Sequence, residues 1–121
     1  MVLVYILEDT AALAEEMAAV LRDSGCEVLT YGLAMAFLVA VADRRPDVAV
    51  VDLHVPDAKG DAVLLALGPQ GPPVIISSAT EEFSGNARRM PEIVCYLVKP
   101  FDLSDLLGCV ADAQALTEDE P

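Results

Sequence analysis

The feature that most constrains the fold is an alternation of β-rich and helical segments, repeated five times along 121 residues. Each β-rich segment is short and rich in branched or aromatic residues, as expected of strands buried on both faces. The predicted strands are residues 2–7, 27–31, 47–52, 74–78 and 93–98, and the predicted helices are residues 10–24, 33–45, 61–67 and 103–116. This alternation predicts an α/β protein in which helices cover both faces of a parallel sheet.

The helical segments carry signals for their faces and ends. Apolar residues recur on one face of the first helix, at Leu13, Met17, Val20 and Leu21. Gly25 follows as a predicted left-handed cap, and Pro46 stops the second helix. Residues 80–91 are polar and contain Gly85, so we expect a short or irregular helix there. The charged residues 117–121 predict a frayed tail.

The second helix is apolar on more than one side. If Phe37, Leu38 and Val41 face the sheet, Met35 and Val39 point elsewhere. An exposed apolar patch often marks an interface with a partner, whereas isolated apolar residues on a surface need no such explanation. Both interpretations stay open at this point.

The charge balance restricts the partners of the chain. Twenty acidic and seven basic residues give a net charge of −13, which repels phosphate backbones and anionic membranes and suits hard cations such as Mg²⁺. Three cysteines without a CxxC pair predict neither a disulfide framework nor a zinc site. A secretory signal is absent, and the longest apolar run is shorter than the ~20 residues of a membrane helix. We therefore expect one soluble, cytoplasmic domain over residues 1–121.

Reactive side chains collect at the predicted carboxyl ends of the strands, where function concentrates in open α/β sheets. They are Glu8 and Asp9 after the first strand, Asp52 at the end of the third, Ser78 at the end of the fourth and Lys99 after the fifth. Three carboxylates so close raise one another's pKa unless a divalent cation joins them. With a hydroxyl and an ammonium group, they form a site complementary to a phosphoryl group in transit, with Asp52 as the nucleophile.

Four motifs, in this order and at these strand ends, resemble the receiver domain of bacterial response regulators, the CheY-like family. They are LEDT (residues 7–10), VVDLHVPDAKG (50–60), VIISSA (74–79) and YLVKPF (96–101). The resemblance covers residues 2–116 and implies a flavodoxin-like doubly wound (βα)5 fold with a five-stranded parallel sheet in the order 2-1-3-4-5. Residues 80–91 depart from the alanine- and leucine-rich fourth helix of the family, which leaves the output surface open.

The resemblance implies roles for the residues at the acidic end of the site. Asp52 accepts a phosphoryl group from a phosphohistidine. Asp9 ligates Mg²⁺ directly, Asp52 shares that ion, and Glu8 acts largely through water. The backbone carbonyl of His54 is a further ligand. Ser78 hydrogen-bonds a phosphoryl oxygen and belongs to the switch that follows phosphorylation.

The resemblance also implies roles for the residues around the phosphoryl group. Lys99 neutralises a phosphoryl oxygen, and Pro100 follows a cis peptide bond. Tyr96 matches the aromatic residue that turns inward on activation, although it could equally be a half-buried aromatic at the sheet edge. The side chains of His54 and Thr80 tune the phosphoryl lifetime, unless His54 is an exposed loop residue that contributes only its carbonyl.

The leading hypothesis is a phosphoryl-accepting signalling module of a two-component system or phosphorelay. Its partners would be a histidine kinase or phosphotransfer protein and a downstream protein target, with no nucleic-acid or membrane binding of its own and a homodimer left open. Its chemistry would amount at most to Mg²⁺-dependent self-phosphorylation and autodephosphorylation. The alternative is a degenerate receiver that acts as a phosphorylation-independent interaction or dimerisation module. An aspartyl-phosphate phosphatase is disfavoured because residues 52–54 lack the second aspartate of a DxD motif.

Overall fold

The structure, a computed structural model, describes residues 1–79 and 92–118, with side chains as far as residue 115. In chain order its elements are β1 (Leu3–Leu7), α1 (Ala11–Asp23), β2 (Glu27–Tyr31), α2 (Ala34–Asp43), β3 (Val48–Asp52), β4 (His54–Val55), β5 (Ala58–Lys59), α3 (Gly60–Leu67), β6 (Val74–Ser78), β7 (Ile93–Val98) and α4 (Leu103–Glu118). The five long strands and the four helices coincide with the predicted segments to within two residues at each end.

Five strands form one parallel sheet in the order β2-β1-β3-β6-β7. Counted over these five strands, this is the order 2-1-3-4-5, so the predicted flavodoxin-like doubly wound fold is confirmed. The chain first winds from β1 to one edge and then returns past β1 to the other edge. The carboxyl ends of β1 and β3 therefore lie side by side where the winding reverses, the usual place for a site in such sheets.

Two apolar cores lie on opposite faces of the sheet. One core packs α1 and α4 against the sheet, and the other packs α2 and α3. Residues of β1 alternate between the cores, with Val4 and Ile6 in the first and Tyr5 and Leu7 in the second. Every residue of β1, β3 and β6 is buried. This two-sided cover explains why these strands read as continuous apolar runs rather than as alternating patterns.

Helix α1 uses the predicted face and ends as predicted. Met17 and Leu21 are fully buried against the sheet. Gly25 has a φ of +100°, and the N–H of the next residue, Cys26, donates to the carbonyl of Leu21 at 3.1 Å. This left-handed turn ends the helix while its last carbonyls stay hydrogen-bonded.

Helix α2 is apolar on two sides, as the sequence indicates. Phe37 is fully buried, and Leu38 and Val41 pack against the same core. Met35 and Val39 are 68% and 62% exposed. The inner side of the helix therefore belongs to the core, and the outer side presents large apolar side chains to solvent.

Two parts of the chain differ from the prediction. The expected loop after β3 contains a short antiparallel ladder, in which β4 pairs with β5. The sequence did not predict this ladder, because two-residue strands carry no detectable periodicity. Helix α4 continues to Glu118, two residues beyond its predicted end. Neither Thr117 nor Glu118 is a helix breaker, so the helix can extend over both.

The short or irregular helix predicted for residues 80–91, the fourth of a (βα)5 arrangement, lies outside the described residues, as do residues 119–121. Among the helices described, none combines the length and apolarity that a membrane span requires.

Candidate functional site

Three acidic side chains converge at the carboxyl end of the sheet. Glu8 and Asp9 follow β1, and Asp52 is the last residue of β3. These strands pair in parallel with Leu7 opposite Val51, so both strand ends deliver their acids to one place. One carboxylate oxygen from each of the three acids lies within 4.8 Å of the other two. The topology thus assembles a cluster from residues more than forty positions apart.

The three carboxyl groups differ in exposure. Glu8 and Asp52 are each 2% exposed, whereas Asp9 lies at the surface. Burial raises the pKa of Glu8, against the opposing effect of hydrogen bonds from Lys99 and from the backbone N–H of Thr10, which is 3.0 Å from Oε2. A hydrogen bond with Glu8 lowers the pKa of Asp9. The surroundings therefore shift the pKa values of these adjacent acids in opposite directions.

Lys99 brings positive charge into the cluster. Its Nζ lies 2.6 Å from Oε1 of Glu8 and 3.2 Å from Oδ2 of Asp52. Partial burial opposes the charged form, but hydrogen bonds and attraction from these carboxylates outweigh it and raise the pKa of Lys99. The backbone positions the side chain, because the N–H of Lys99 donates to the carbonyl of Ser78 at 2.7 Å. The peptide bond from Lys99 to Pro100 is cis, as expected.

The carboxylate of Asp52 is held from two sides. Its Oδ1 accepts the backbone N–H of His54 at 2.9 Å, and its Oδ2 accepts the ammonium of Lys99. Strand β3 lies between β1 and β6 at the centre of the sheet, so the backbone that carries Asp52 is fixed as well. His54, whose backbone N–H makes the contact with Oδ1, is itself exposed. The result is a buried carboxylate with a defined orientation.

The donor set suits a hard divalent cation. Three carboxylates beside one ammonium group hold more negative charge than that group neutralises, a situation that a bound cation relieves. Mg²⁺ prefers oxygen ligands and commonly takes one or two carboxylates with water. The residues present therefore fit Mg²⁺ at Glu8, Asp9 and Asp52. Ligation by the carbonyl of His54 stays a prediction.

The remaining predicted site residues occupy different positions. Ser78 is buried at the end of β6, the strand that pairs with β3 beside Asp52. Tyr96 lies on the edge strand β7 with 42% of its surface exposed. Thr80 falls outside the described residues. The switch assigned to Ser78 and Tyr96 and the lifetime role of His54 stay predictions.

Asp57 is a structural residue of this region that the sequence analysis missed. Its Oδ1 and Oδ2 accept the backbone N–H groups of Ala34 and Met35 at 2.7 and 3.0 Å. These are the first two residues of α2, and the residue before them, Leu33, has no side-chain acceptor. The absence of a polar cap at a predicted helix start was the available signal that a distant group must supply one.

Comparison with known proteins agrees with this architecture. The response regulator receiver domain profile matches residues 4–111. The DNA-binding response regulator MtrA of Mycobacterium tuberculosis is 28% identical over 120 residues, which cover 98% of this chain and 53% of that protein. The transcriptional regulatory protein KdpE of Mycobacterium tuberculosis is 31% identical over 110 residues, which cover 89% of this chain and 49% of that protein. The chain spans about half the length of these curated relatives.

A solved structure shares the fold over its whole length. The CheY-like response regulator receiver domain protein from Methanospirillum hungatei superposes with a TM-score of 0.90 at 21% identity, covering 100% of this chain and 99% of that one. At this identity the likeness supports the fold alone, and the family profile supplies the closer relationship. Together with the acids at the strand ends, these comparisons show that the chain belongs to the response regulator receiver domain family of two-component signalling systems.

Proposed function

We propose that Asp52 receives a phosphoryl group from a phosphohistidine of a histidine kinase or phosphotransfer protein, and that a partner protein reads the change. The observation that carries this proposal is the Asp52 carboxylate itself. It is buried, oriented by the His54 N–H and the Lys99 ammonium, and adjacent to two further carboxylates. A positioned carboxylate beside a cation is suited to attack an electrophile whose charge that cation offsets.

The transfer is a displacement at phosphorus. An oxygen of Asp52 bonds to phosphorus as the P–N bond of the donor phosphohistidine breaks, and the donor imidazole leaves with the electron pair. Lys99 already contacts Asp52, so its ammonium stays beside the negative charge that arrives with the phosphoryl group. Ser78, buried at the end of the neighbouring strand, donates its hydroxyl to a phosphoryl oxygen. Hydrolysis by water then returns free Asp52 and phosphate.

Glu8, Asp9, Asp52 and the carbonyl of His54 are the groups that we assign to Mg²⁺. When bound, the ion neutralises charge on the phosphoryl oxygens. The exposed Asp9 is suited to direct ligation from the solvent side. Glu8 is buried and already paired with Lys99, which favours a role through water.

Residues around the acceptor would set lifetime and readout. The exposed His54 lies two positions after Asp52, where its imidazole can shield the acyl phosphate from water or admit it. We give Thr80 the matching role on the basis of its position two residues after Ser78. The half-exposed ring of Tyr96 is the proposed switch, since moving it inward changes the surface that a partner contacts.

Intact-protein mass spectrometry after incubation with Mg²⁺ and acetyl phosphate tests the proposed acceptor. We expect one phosphoryl adduct on the wild-type chain, a requirement for Mg²⁺, and no adduct on Asp52→Asn. The matched control is Asp57→Asn, which removes the same charge five residues further along the same connection. This control should keep the adduct, because Asp57 contacts α2 rather than the acidic cluster.

Two outcomes would contradict this assignment. An adduct that persists in Asp52→Asn would place the acceptor elsewhere. A folded wild-type chain that neither forms an adduct nor binds Mg²⁺ would favour the degenerate receiver that interacts without phosphorylation. Mg²⁺-dependent binding of beryllium fluoride offers an independent check on the same pocket.

A further inference from the structure

We propose that the outer surface of α2 and α3 is a contact surface between two copies of this chain. We call it the α2–α3 face and define it by Leu33, Met35, Val39, Ala42 and Leu65, all of which are exposed. It lies on a helical layer, whereas the acidic site lies at the strand ends. The proposal therefore stands or falls separately from phosphorylation of Asp52.

Large apolar side chains project from this face. Met35 is 68% exposed, Val39 is 62% exposed and Leu65 is 74% exposed. Met35, Val39 and Ala42 occupy positions i, i+4 and i+7, which form one stripe along a helix and match the spacing of helix–helix packing. The opposite side of α2 already packs on the sheet through Phe37. A helix that is apolar on both sides is typical of one that is covered on both sides.

The α2–α3 face is also less acidic than the rest of the molecule. Residues 33–45 and 57–68 hold three of the seven basic residues but only three of the twenty acidic residues. Two copies of a chain with a net charge of −13 repel each other over most approaches. An apolar face with almost no net charge is where they can approach at the lowest electrostatic cost. A basic partner would instead be drawn to the acidic surfaces, so the charge distribution favours a second copy.

The two ends of the α2–α3 face are complementary in charge. Asp57, which precedes α3, caps the start of α2, so the N-terminal ends of both helices lie together. Asp57, Lys59 and Asp61 stand at that end with a net negative charge, and Arg44 and Arg45 stand just beyond the other end of α2. A twofold axis perpendicular to the helices sets the acidic end of one copy against the basic end of the other. The same axis makes the α2 helices of the two copies antiparallel, so that opposite ends of their dipoles lie together.

The size of the face sets the expected affinity. Helices α2 and α3 have ten and eight residues, so they are about 15 and 12 Å long. At an interaxial distance of about 10 Å, they cover less than the roughly 800 Å² that each partner buries in a standard interface. We therefore expect a weak, reversible dimer that forms at high protein concentration.

Sedimentation velocity on the 121-residue chain, without Mg²⁺ or phosphodonor, tests the proposal. Between roughly 10 μM and 1 mM, the wild-type chain should pass from monomer towards dimer. Val39→Lys should raise the dissociation constant by about tenfold or more, because the twofold axis buries the added ammonium twice. The matched control is Ala19→Lys, which adds the same charge at an exposed position of α1 and should dimerise like the wild type.

A charge exchange tests the antiparallel arrangement. Asp61→Arg and Arg45→Asp should each weaken the dimer, and the double variant should recover much of the loss. Arg45 is the better choice because Arg44 is already paired with the carboxylate of Glu27 at 3.0 Å, whereas Arg45 donates to a neutral backbone carbonyl, that of Gly71, at 2.9 Å. Higher NaCl should strengthen the wild-type dimer, because the repulsion that it screens between two bodies of net charge −13 outweighs the attraction that it screens between the few charges at the helix ends.

Three results would overturn the proposal. One is a wild-type chain that stays monomeric over the whole concentration range, as it would if this face instead covers another domain of a longer protein. Another is a Val39→Lys variant that dimerises as tightly as the wild type while circular dichroism shows an unchanged fold. The third, a double charge variant weaker than either single variant, would overturn the antiparallel arrangement.

Discussion

Glu8 and Asp9 are neighbours in sequence with opposite surroundings. Successive side chains of an extended segment point in opposite directions, so one acid turns inward and the other turns to solvent. The inward acid meets the ammonium of Lys99, which also reaches Asp52. A single cation thereby offsets part of the cost of burying two carboxylates. The outward acid stays accessible to an ion that arrives from water.

Gly60 lies where the structure leaves no room for a side chain. A Cβ at this position would lie 2.5 Å from Cδ2 and 2.9 Å from Cα of Leu53, the residue after Asp52. Gly60→Ala must therefore displace the backbone beside the proposed acceptor, and we expect it to lower the free energy of unfolding by about 1–3 kcal/mol. Urea denaturation followed by circular dichroism measures this loss.

Gly108 supplies the matched control for that substitution. It lies within α4, where an added Cβ would meet nothing within 4 Å. Gly108→Ala should therefore raise the free energy of unfolding, by up to about 1 kcal/mol, because alanine favours a helix more than glycine does. Similar effects at the two glycines would show that contact with Leu53 is not the reason for Gly60.

At the scale of elements, α2 depends on a group outside itself. Asp57 satisfies two of the N–H groups that the start of α2 leaves free. Asp57→Ala should therefore lower the melting temperature by a few degrees. Thermal unfolding at neutral pH, followed by circular dichroism, measures the difference. Asp57→Asn, which keeps an acceptor oxygen but loses the charge, should fall between the wild type and the alanine variant.

The contribution of Asp57 should depend on pH with a defined sign. Hydrogen bonds from the N–H groups of Met35 and Ala34 lower the pKa of Asp57 below its usual 3.8. The charged form is therefore the stabilising one, and its contribution is complete above the unfolded pKa. The gap in melting temperature between the wild type and Asp57→Ala should stay constant from neutral pH down to mildly acidic pH. It should shrink as pH falls through the lowered pKa, and a gap that grows in acid would contradict the assigned cap.

Local signals in the sequence predicted most elements but not the contacts between them. Strands β2, β6 and β7 were located at their observed bounds, because apolar runs between turn residues are local information. The cap by Asp57 comes from a residue 23 positions after Ala34, which no periodicity reveals. The convergence of the strand-end acids followed from sheet topology. Their distances, and the closer approach of Lys99 to Glu8 than to Asp52, depend on side-chain packing.

At the scale of the whole molecule, the net charge of −13 makes stability sensitive to cations. NaCl should raise the melting temperature by screening repulsion among the acids. Mg²⁺ at equal ionic strength should add an increment that grows with the logarithm of its concentration and reaches about 2.7 kcal/mol at a hundred times its dissociation constant. Differential scanning calorimetry in matched NaCl and MgCl₂ separates the two effects.

Asp9→Asn is the variant that distinguishes site binding from general screening. Asp9 is exposed, so the substitution removes a proposed ligand without leaving a cavity. The response to NaCl should remain, and the additional stabilisation by Mg²⁺ should be largely lost. An equal Mg²⁺ increment in the wild type and in Asp9→Asn would show that the ion acts elsewhere on the acidic surface.

The connection between Asp52 and Asp57 has a consequence for how this chain can change in length. Asp52 is held at the end of the central strand β3, and Asp57 is held at the start of α2. The four residues between them span a fixed distance, because the carboxylate at each end is hydrogen-bonded. An insertion or deletion there would detach one carboxylate from its partners. Insertions and deletions are instead expected in surface turns, such as the turn that contains the exposed residues Pro69 and Gln70.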